Sequence, residues 1–431
     1  MPLVSTIRGI NITQIYIGTN GCYNARATTV VTENALRNSG YSVTKKPSKA
    51  DIIIYATCGV KQDREDSSIE ELKKLLEQAK PDTRLIITGC LPEINRRALE
   101  ETFGEIVEIV SSHELPAYLK ILSEYQSANR RPLMINHGSG AYLPEDNIEA
   151  KLGIRNRLYI INSALNEYYE ATTPGLQLGR EKEPPDTIIA SRGCYYRCTY
   201  CDIWRAIGLY TSKPLEEIMG IIAQSQNRRI VLTADELGLW GSDLKPKRSL
   251  SELADALLQT EGHQFYLRNI EPKPLIDNIE AIQILAESGK IFYLSAPMQS
   301  ASLNILKAMK RPYGPDEAMI VLKALRDIGV IIETHIMVGF PGETTANFRD
   351  SFGFIEELSP DGLSIVKYSD RPNAPAKDFS GKIHDEEKTI RQQELLELFK
   401  SQLLIKYSTL LPDDIVDKDE LIKNIVDTTF V

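Results

Sequence analysis

The stretch DTIIASRGCYYRCTYCDIW, Asp186–Trp204, runs from a β-branched strand candidate straight into three cysteines, Cys194, Cys198 and Cys201. Spacings of four and then three residues let one loop wrap a small inorganic centre. A 4Fe-4S cluster is normally held by four thiolates, so three leave one iron open and make the centre reactive rather than merely electron-storing. A structural zinc ion is the alternative, but it usually takes a fourth Cys or His in a recognisable pair. His113, His137, His263, His335 and His384 are scattered, and none lies near this loop.

Working outward, strand candidates DTIIAS, RIVLTA, QFYLRNI, IFYLSAP, IIETHIMVG and LSIVKYS alternate with helical patterns. Six such units in about 195 residues are too few for a closed eight-stranded barrel of about 250. The expectation is an open, partial (β/α)6 barrel over 184–384, with the cysteine loop at its carboxyl-end mouth. Upstream, QIYIG (14–18), DIIIYAT (51–57), RLIITG (84–89) and EIVEIV are each followed by a helical pattern. That alternation predicts an α/β, doubly wound parallel-sheet domain over 1–125. Residues 126–183, rich in turn formers and charge, read as an interdomain linker. Residues 385–431 read as a helical C-terminal tail with an acidic end.

The remaining cysteines fall at equivalent places: Cys22 soon after the first strand, Cys58 and Cys90 directly after the next two. A parallel sheet gathers the carboxyl ends of its strands on one edge, where ligands bind, so these three thiols are expected to converge. The alternative is three separately buried small hydrophobes.

Composition sets the outer bounds. With 431 residues, 42% of them apolar, the chain suits two or three globular domains. No apolar run reaches 18 residues, and MPLVSTIRGINITQ lacks the layout of a secretory signal, so no membrane role and a cytoplasmic location are expected. Thiols stay reduced there, which favours metal ligands or catalytic groups over disulfides. A formal net charge of -9 argues against general attraction to nucleic acid. Basic clusters such as Arg130-Arg131 and Lys245-Pro246-Lys247-Arg248 carry no interleaved aromatics.

CxxxCxxC with Tyr200 just before the last cysteine resembles the signature of radical S-adenosylmethionine enzymes. GCYN, ATCGV and TGC around Cys22, Cys58 and Cys90, then PMQSAS (297–302), LKAMKR (306–311), VGFPGET (338–344) and YSDRPNAPA (368–376), narrow the resemblance to the methylthiotransferases. In that family the open iron of the barrel cluster chelates S-adenosylmethionine, whose reductive cleavage gives a 5′-deoxyadenosyl radical that takes a hydrogen atom from substrate. The resemblance implies two 4Fe-4S clusters. Cys194, Cys198 and Cys201 would hold one; Cys22, Cys58 and Cys90 would hold an auxiliary cluster carrying the transferred sulfur. It also implies that Tyr200 contacts adenine and that Asp235 and Glu236 lie near the methionine amino group. Glu271 and Gln299 would face the cofactor pocket, and Arg311 the carboxylate or a cluster-bound group. A reductant such as flavodoxin or ferredoxin is implied as a partner.

The chain departs from the family in several respects, Asn24 sitting one place closer to Cys22 than usual among them. The small C-terminal TRAM barrel that binds macromolecular substrates is not recognisable. Ser295 and Ala301 stand where the family usually has His and Gly, and His335 where it often has Asp. The expected activity is insertion of SCH3 at an unactivated C–H bond. A peptide, protein side chain or small natural product is favoured as substrate. Alternatives are a modified adenosine in tRNA, or a non-catalytic Fe-S or zinc binding module.

Overall fold

The computed structural model describes residues 13–38, 40–115, 117–119, 141–142 and 186–408. Two compact units result, one of Met1–Ser139 with Arg205–Ile207, the other of Gly140–Trp204 with Gly208–Val431. The sequence reading of 126–183 as a linker lies outside the described residues apart from the short strand Ala141–Tyr142, and the acidic end of the tail lies outside them altogether.

In the first unit, β1 (Gln14–Thr19), β2 (Ser42–Thr44), β3 (Ile52–Thr57), β4 (Arg84–Gly89) and β5 (Glu108–Ile109) form a parallel sheet in the order β2-β1-β3-β4-β5. Alternate residues of each strand face opposite ways. Ile53, Tyr55, Leu85 and Ile87 pack against Leu72, Leu75, Leu99 and Phe103 on one side, while Ile15, Ile52, Ile54 and Ile86 pack with Leu36 and Leu115 on the other. Burial on both faces explains the unbroken apolar run IIIY and makes the sheet doubly wound. The sequence reading missed β2, and it drew EIVEIV as a longer strand than Glu108–Ile109, because a 3-10 turn at Gly104–Ile106 occupies the start of that stretch. It also drew EINRRALEET as one helix. Asn95 breaks it, its side chain accepting from Ala98 N–H and capping a new helix, Arg96–Phe103.

The second unit carries β7 (Asp186–Arg192), β9 (Arg229–Ala234), β10 (Gln264–Leu267), β11 (Ile291–Ser295), β12 (Ile331–Val338) and β13 (Gly362–Lys367), parallel and adjacent in sequence order. Short antiparallel pieces β6 (Ala141–Tyr142) and β8 (Thr211–Ser212) join β7. The sheet is open, as the count of six units required. Its helix-facing core takes Leu232, Leu267, Leu294, Ile332 and Leu363 with Leu253, Ile282, Leu322 and Ile355. The inner face is different. Thr187, Thr233, Arg268, Ser295 and Glu333 are all buried there, where a closed barrel would stack branched apolar side chains. The helix Asp385–Ser408 continues the chain beyond the last strand.

Candidate functional site

The cysteine loop leaves β7 through Gly193, whose φ of +84° and a would-be Cβ 2.9 Å from Tyr210 Cα admit only glycine. Gly193 N–H donates to Asp235 Oδ2 at 2.8 Å. Arg197 Nη1 then gathers the loop by donating to the carbonyls of Cys194, Tyr195 and Tyr196 at 2.9, 3.2 and 3.2 Å, while its guanidinium lies 4.1 Å over the Trp204 ring. Thr199 anchors the far side. Its N–H donates to Met309 O (3.1 Å), its hydroxyl to Ala308 O (2.8 Å), and its carbonyl accepts from Ala376 N–H (2.8 Å). Asp202 Oδ2 accepts from Asn373 N–H at 3.1 Å. The three sulfurs are therefore carried on a backbone tied down at both ends.

None of the six cysteines is disulfide-bonded. Burial pushes Cys194, Cys198 and Cys201 up, the last to about 12; Glu236 adds to the rise at Cys194, and Cys198 adds to it at Cys201, while Arg311 partly offsets it at Cys198. At neutral pH the bare loop holds thiols, and only a strongly positive centre would ionise all three together. Among the described residues no three His, Cys, Asp or Glu side chains are drawn together as one metal ion would require. A tetrahedral zinc holds its sulfurs roughly 3.8 Å apart, at Zn–S distances of about 2.3 Å. A four-iron cube binds one thiolate per corner and spreads them wider. Three thiols on one loop, close enough to raise one another, are a donor set that suits a cube held by three thiolates.

Beside the loop lies a buried charged group. Glu236 accepts from Gly238 N–H (2.8 Å) and from Glu271 N–H (3.1 and 3.2 Å). Burial, then the adjacent Glu271, push its carboxyl up to about 8. Glu271 is also raised, by burial, although Arg311 Nη1 stands 2.5 Å from its Oε2. Arg311 donates its other Nη to Pro297 O at 3.1 Å, while Glu271 Oε1 has no hydrogen-bond partner among the described residues. Gln299 adopts φ +66°, pinned by its N–H to His335 O (2.7 Å) and by Met337 N–H to its carbonyl (2.8 Å). A non-glycine residue in that region is strained, and such strain concentrates at functional positions. Tyr200 packs against the cluster formed by Ile305, Met309, Met337, Phe340 and Tyr368. Five of the expected positions thus cluster around the loop by direct bonds or mutual electrostatics: Tyr200, Asp235, Glu236, Glu271 and Arg311.

In the first unit the strand order changes direction between β1 and β3, the switch point at which open α/β sheets bind ligands. Cys22 and Cys58 follow those two strands and Cys90 follows β4. Ser68 fixes Cys58: its Oγ accepts from Cys58 N–H (3.0 Å) and lies 2.8 Å from Cys58 O and 3.0 Å from Asn20 Oδ1. Cys90 N–H donates to Thr57 O at 2.9 Å. Gly89, at φ +92°, permits this approach, since a Cβ there would stand 2.3 Å from Thr57 O. Cys22 is exposed and Cys58 is buried, its thiol raised by burial.

Sequence reasoning missed Arg197, Ser68 and the polar inner face. For the first the only trace was a basic residue between Tyr196 and Cys198, since its partners are backbone carbonyls. For the last it was Glu333 and His335 two apart in a strand that is mostly apolar.

A three-cysteine loop at the carboxyl edge of an open, six-unit parallel barrel defines the class of radical S-adenosylmethionine enzymes. The family model for the Radical SAM superfamily matches residues 188–355, and one described as Uncharacterized protein family UPF0004 matches 14–111. The ribosomal protein uS12 methylthiotransferase RimO of Protochlamydia amoebophila is 28% identical over 388 residues, 88% of this chain and 75% of its own length. The tRNA-2-methylthio-N(6)-dimethylallyladenosine synthase of Carboxydothermus hydrogenoformans is 28% identical, covering 89% of this chain and 82% of its own length. Among solved structures, the radical S-adenosylmethionine methyltransferase TsrM from Kitasatospora setae superposes with a TM-score of 0.55 at 13% identity, over 84% of this chain and 73% of that one, a likeness of fold. Domain models and relatives alike make this chain similar to the radical S-adenosylmethionine methylthiotransferases. It is an enzyme that transfers sulfur and methyl groups, with S-adenosylmethionine and two 4Fe-4S clusters as its cofactors. No helix among the described residues is long and apolar enough to cross a membrane.

Proposed function

We propose that this chain places a methylthio group on an unactivated C–H bond of a peptide or protein side chain. The observation that carries the reading is that each of two parallel sheets presents three cysteines after the carboxyl ends of its strands. Cys194, Cys198 and Cys201 hold the cluster that binds S-adenosylmethionine; Cys22, Cys58 and Cys90, in the domain spanning 1–125, hold the auxiliary one. The bound groups supply hydrogen-atom abstraction and the sulfur and methyl to be transferred.

The protein's own part is positioning and exclusion of water. Arg197 and Thr199 hold the loop backbone, and Asp235 fixes its entry. Glu236 and Glu271 offer buried carboxyl oxygens to an ammonium group, Arg311 offers a guanidinium to a carboxylate, Tyr200 an apolar ring for adenine, and Gln299 a strained position in the pocket. A protein substrate is supported by the uS12-directed relatives and by the net charge of -9, which disfavours a phosphate backbone. A second reading, tRNA, is favoured by relatives of equal similarity that act on tRNA.

The test is iron and acid-labile sulfide content after anaerobic reconstitution, in wild type and in a Cys22→Ala, Cys58→Ala, Cys90→Ala variant. About eight irons should fall to about four. About four in both would remove the auxiliary centre and the reading with it. The reconstituted enzyme, given reductant and S-adenosylmethionine, is then offered peptides and tRNA; methylthiolation of tRNA alone would establish the second reading.

A further inference from the structure

The inner face of the barrel sheet carries polar groups that no role above uses. β11 and β12 pair with Ser295 opposite Glu333 and Tyr293 opposite Ile331. Tyr293, Ser295, Glu333 and His335 therefore stand on the face away from Leu294, Ala296, Ile332 and Ile336, which pack into the helix-side core. Glu333, Tyr293 and Ser295 expose 4%, 1% and 1% of their surface, and Glu333 Oε2, Tyr293 OH and Ser295 Oγ have no hydrogen-bond partner among the described residues. His335 Nε2 lies 3.3 Å from Glu333 Oε1, which orients the carboxylate and leaves the second oxygen unmatched. Opposite Glu333 on β13 is Gly362, where a Cβ would stand 3.1 Å from Glu333 Cγ, so glycine keeps room for the acid. Just past the end of β10, Arg268 lies 5.9 Å over the Tyr293 ring.

Native interiors leave few polar groups unpaired, and each one asks for an explanation. Three on adjacent strands of one sheet face ask for a ligand. An ionised carboxylate only accepts, and its strongest partners are charged donors. We propose that Glu333 receives a cationic nitrogen of the substrate, an ammonium or guanidinium, with the Tyr293 and Ser295 hydroxyls completing its shell, so that the enzyme selects a target beside a basic side chain. This rests on the reading that the substrate is a peptide or protein, and it adds the chemistry by which that substrate is chosen.

The test is calorimetric titration of the reconstituted enzyme, saturated with S-adenosylmethionine so that its subsite is filled. The probes are butylguanidine and butylamine, with butanol and adenosine as neutral comparisons. Saturable millimolar binding of a cation, absent for butanol and weakened at least tenfold in Glu333→Gln, is the expected result. Tyr293→Phe removes a single oxygen and carries the same test if Glu333→Gln does not fold; it should weaken the cation severalfold. Equal cation binding in wild type and variants, no saturable cation binding, or adenosine as the ligand that Glu333→Gln loses would each overturn the proposal. Binding is measured without turnover, so a failed methylthiolation assay counts against the proposed function and leaves this result standing.

Discussion

Arg391 Nη1 lies 2.7 Å from Glu343 Oε2, and both side chains are buried although 48 residues separate them. The same nitrogen donates to Glu343 O at 3.1 Å, and Glu343 Oε2 also accepts from Gly339 N–H at 2.6 Å. The pair clasps the VGFPGET turn to the helix Asp385–Ser408. Gly339 allows the contact, since a Cβ there would stand 2.3 Å from Lys388 Cγ. Removing one partner strands a buried charge, so Arg391→Ala should cost about 3–5 kcal/mol. A double Glu343→Gln, Arg391→Met variant should recover much of that loss. Anaerobic urea denaturation measures both; a single variant as stable as wild type would show that the clasp is idle.

Stability of the cluster-free protein should depend on Glu236. Its carboxyl is pushed up to about 8, by burial first and Glu271 second, from an ordinary value of 4.5. A group whose folded value is raised contributes stability fully present below its unfolded value and lost as pH rises through the folded one. The apoprotein should therefore weaken between about pH 5 and about pH 8, and Glu236→Gln should flatten that part of the profile. Denaturant midpoints across this window are the measurement, and an unchanged slope in the variant would count against the argument.

Gln299 offers a trade between stability and activity. Its φ of +66° is a conformation that glycine adopts without penalty. Relief of strain, partly offset by the greater freedom of the unfolded chain, leaves Gln299→Gly about as stable as wild type or up to about 1 kcal/mol better. Cleavage of S-adenosylmethionine should nonetheless drop at least tenfold, because the side chain is what the strain retains. A variant that cleaves normally would reduce Gln299 to a turn residue.

Much of this architecture was legible in the chain. The alternation of DIIIYAT and RLIITG with helical patterns is a strong periodic signal, and both strands form where it places them. The loop Cys194–Cys201 was equally plain, because ligands close in sequence share one loop whatever the rest of the fold does. Asp235 was read as a cofactor contact. The structure adds that its Oδ2 holds Gly193 N–H, a bond across 42 residues that no local pattern announces. Arg197 was passed over for a similar reason: its partners are backbone carbonyls, which have no signature in residue identity. SVT at 42–44 escaped as too short to show a period.

By itself the sequence determined the two sets of thiols, their order along the chain, and the strand–helix alternation that carries each set to the end of a strand, since these depend on local spacing and periodicity. Tertiary structure alone decided which face each strand turns inward and what meets it there. A shift of one residue in register would send Glu333 and Ser295 to the helix side and Ile332 and Leu294 to the inner face. Only packing of the helices onto Leu294, Ile332 and Leu363 selects between the two, and in selecting it leaves the polar row facing inward.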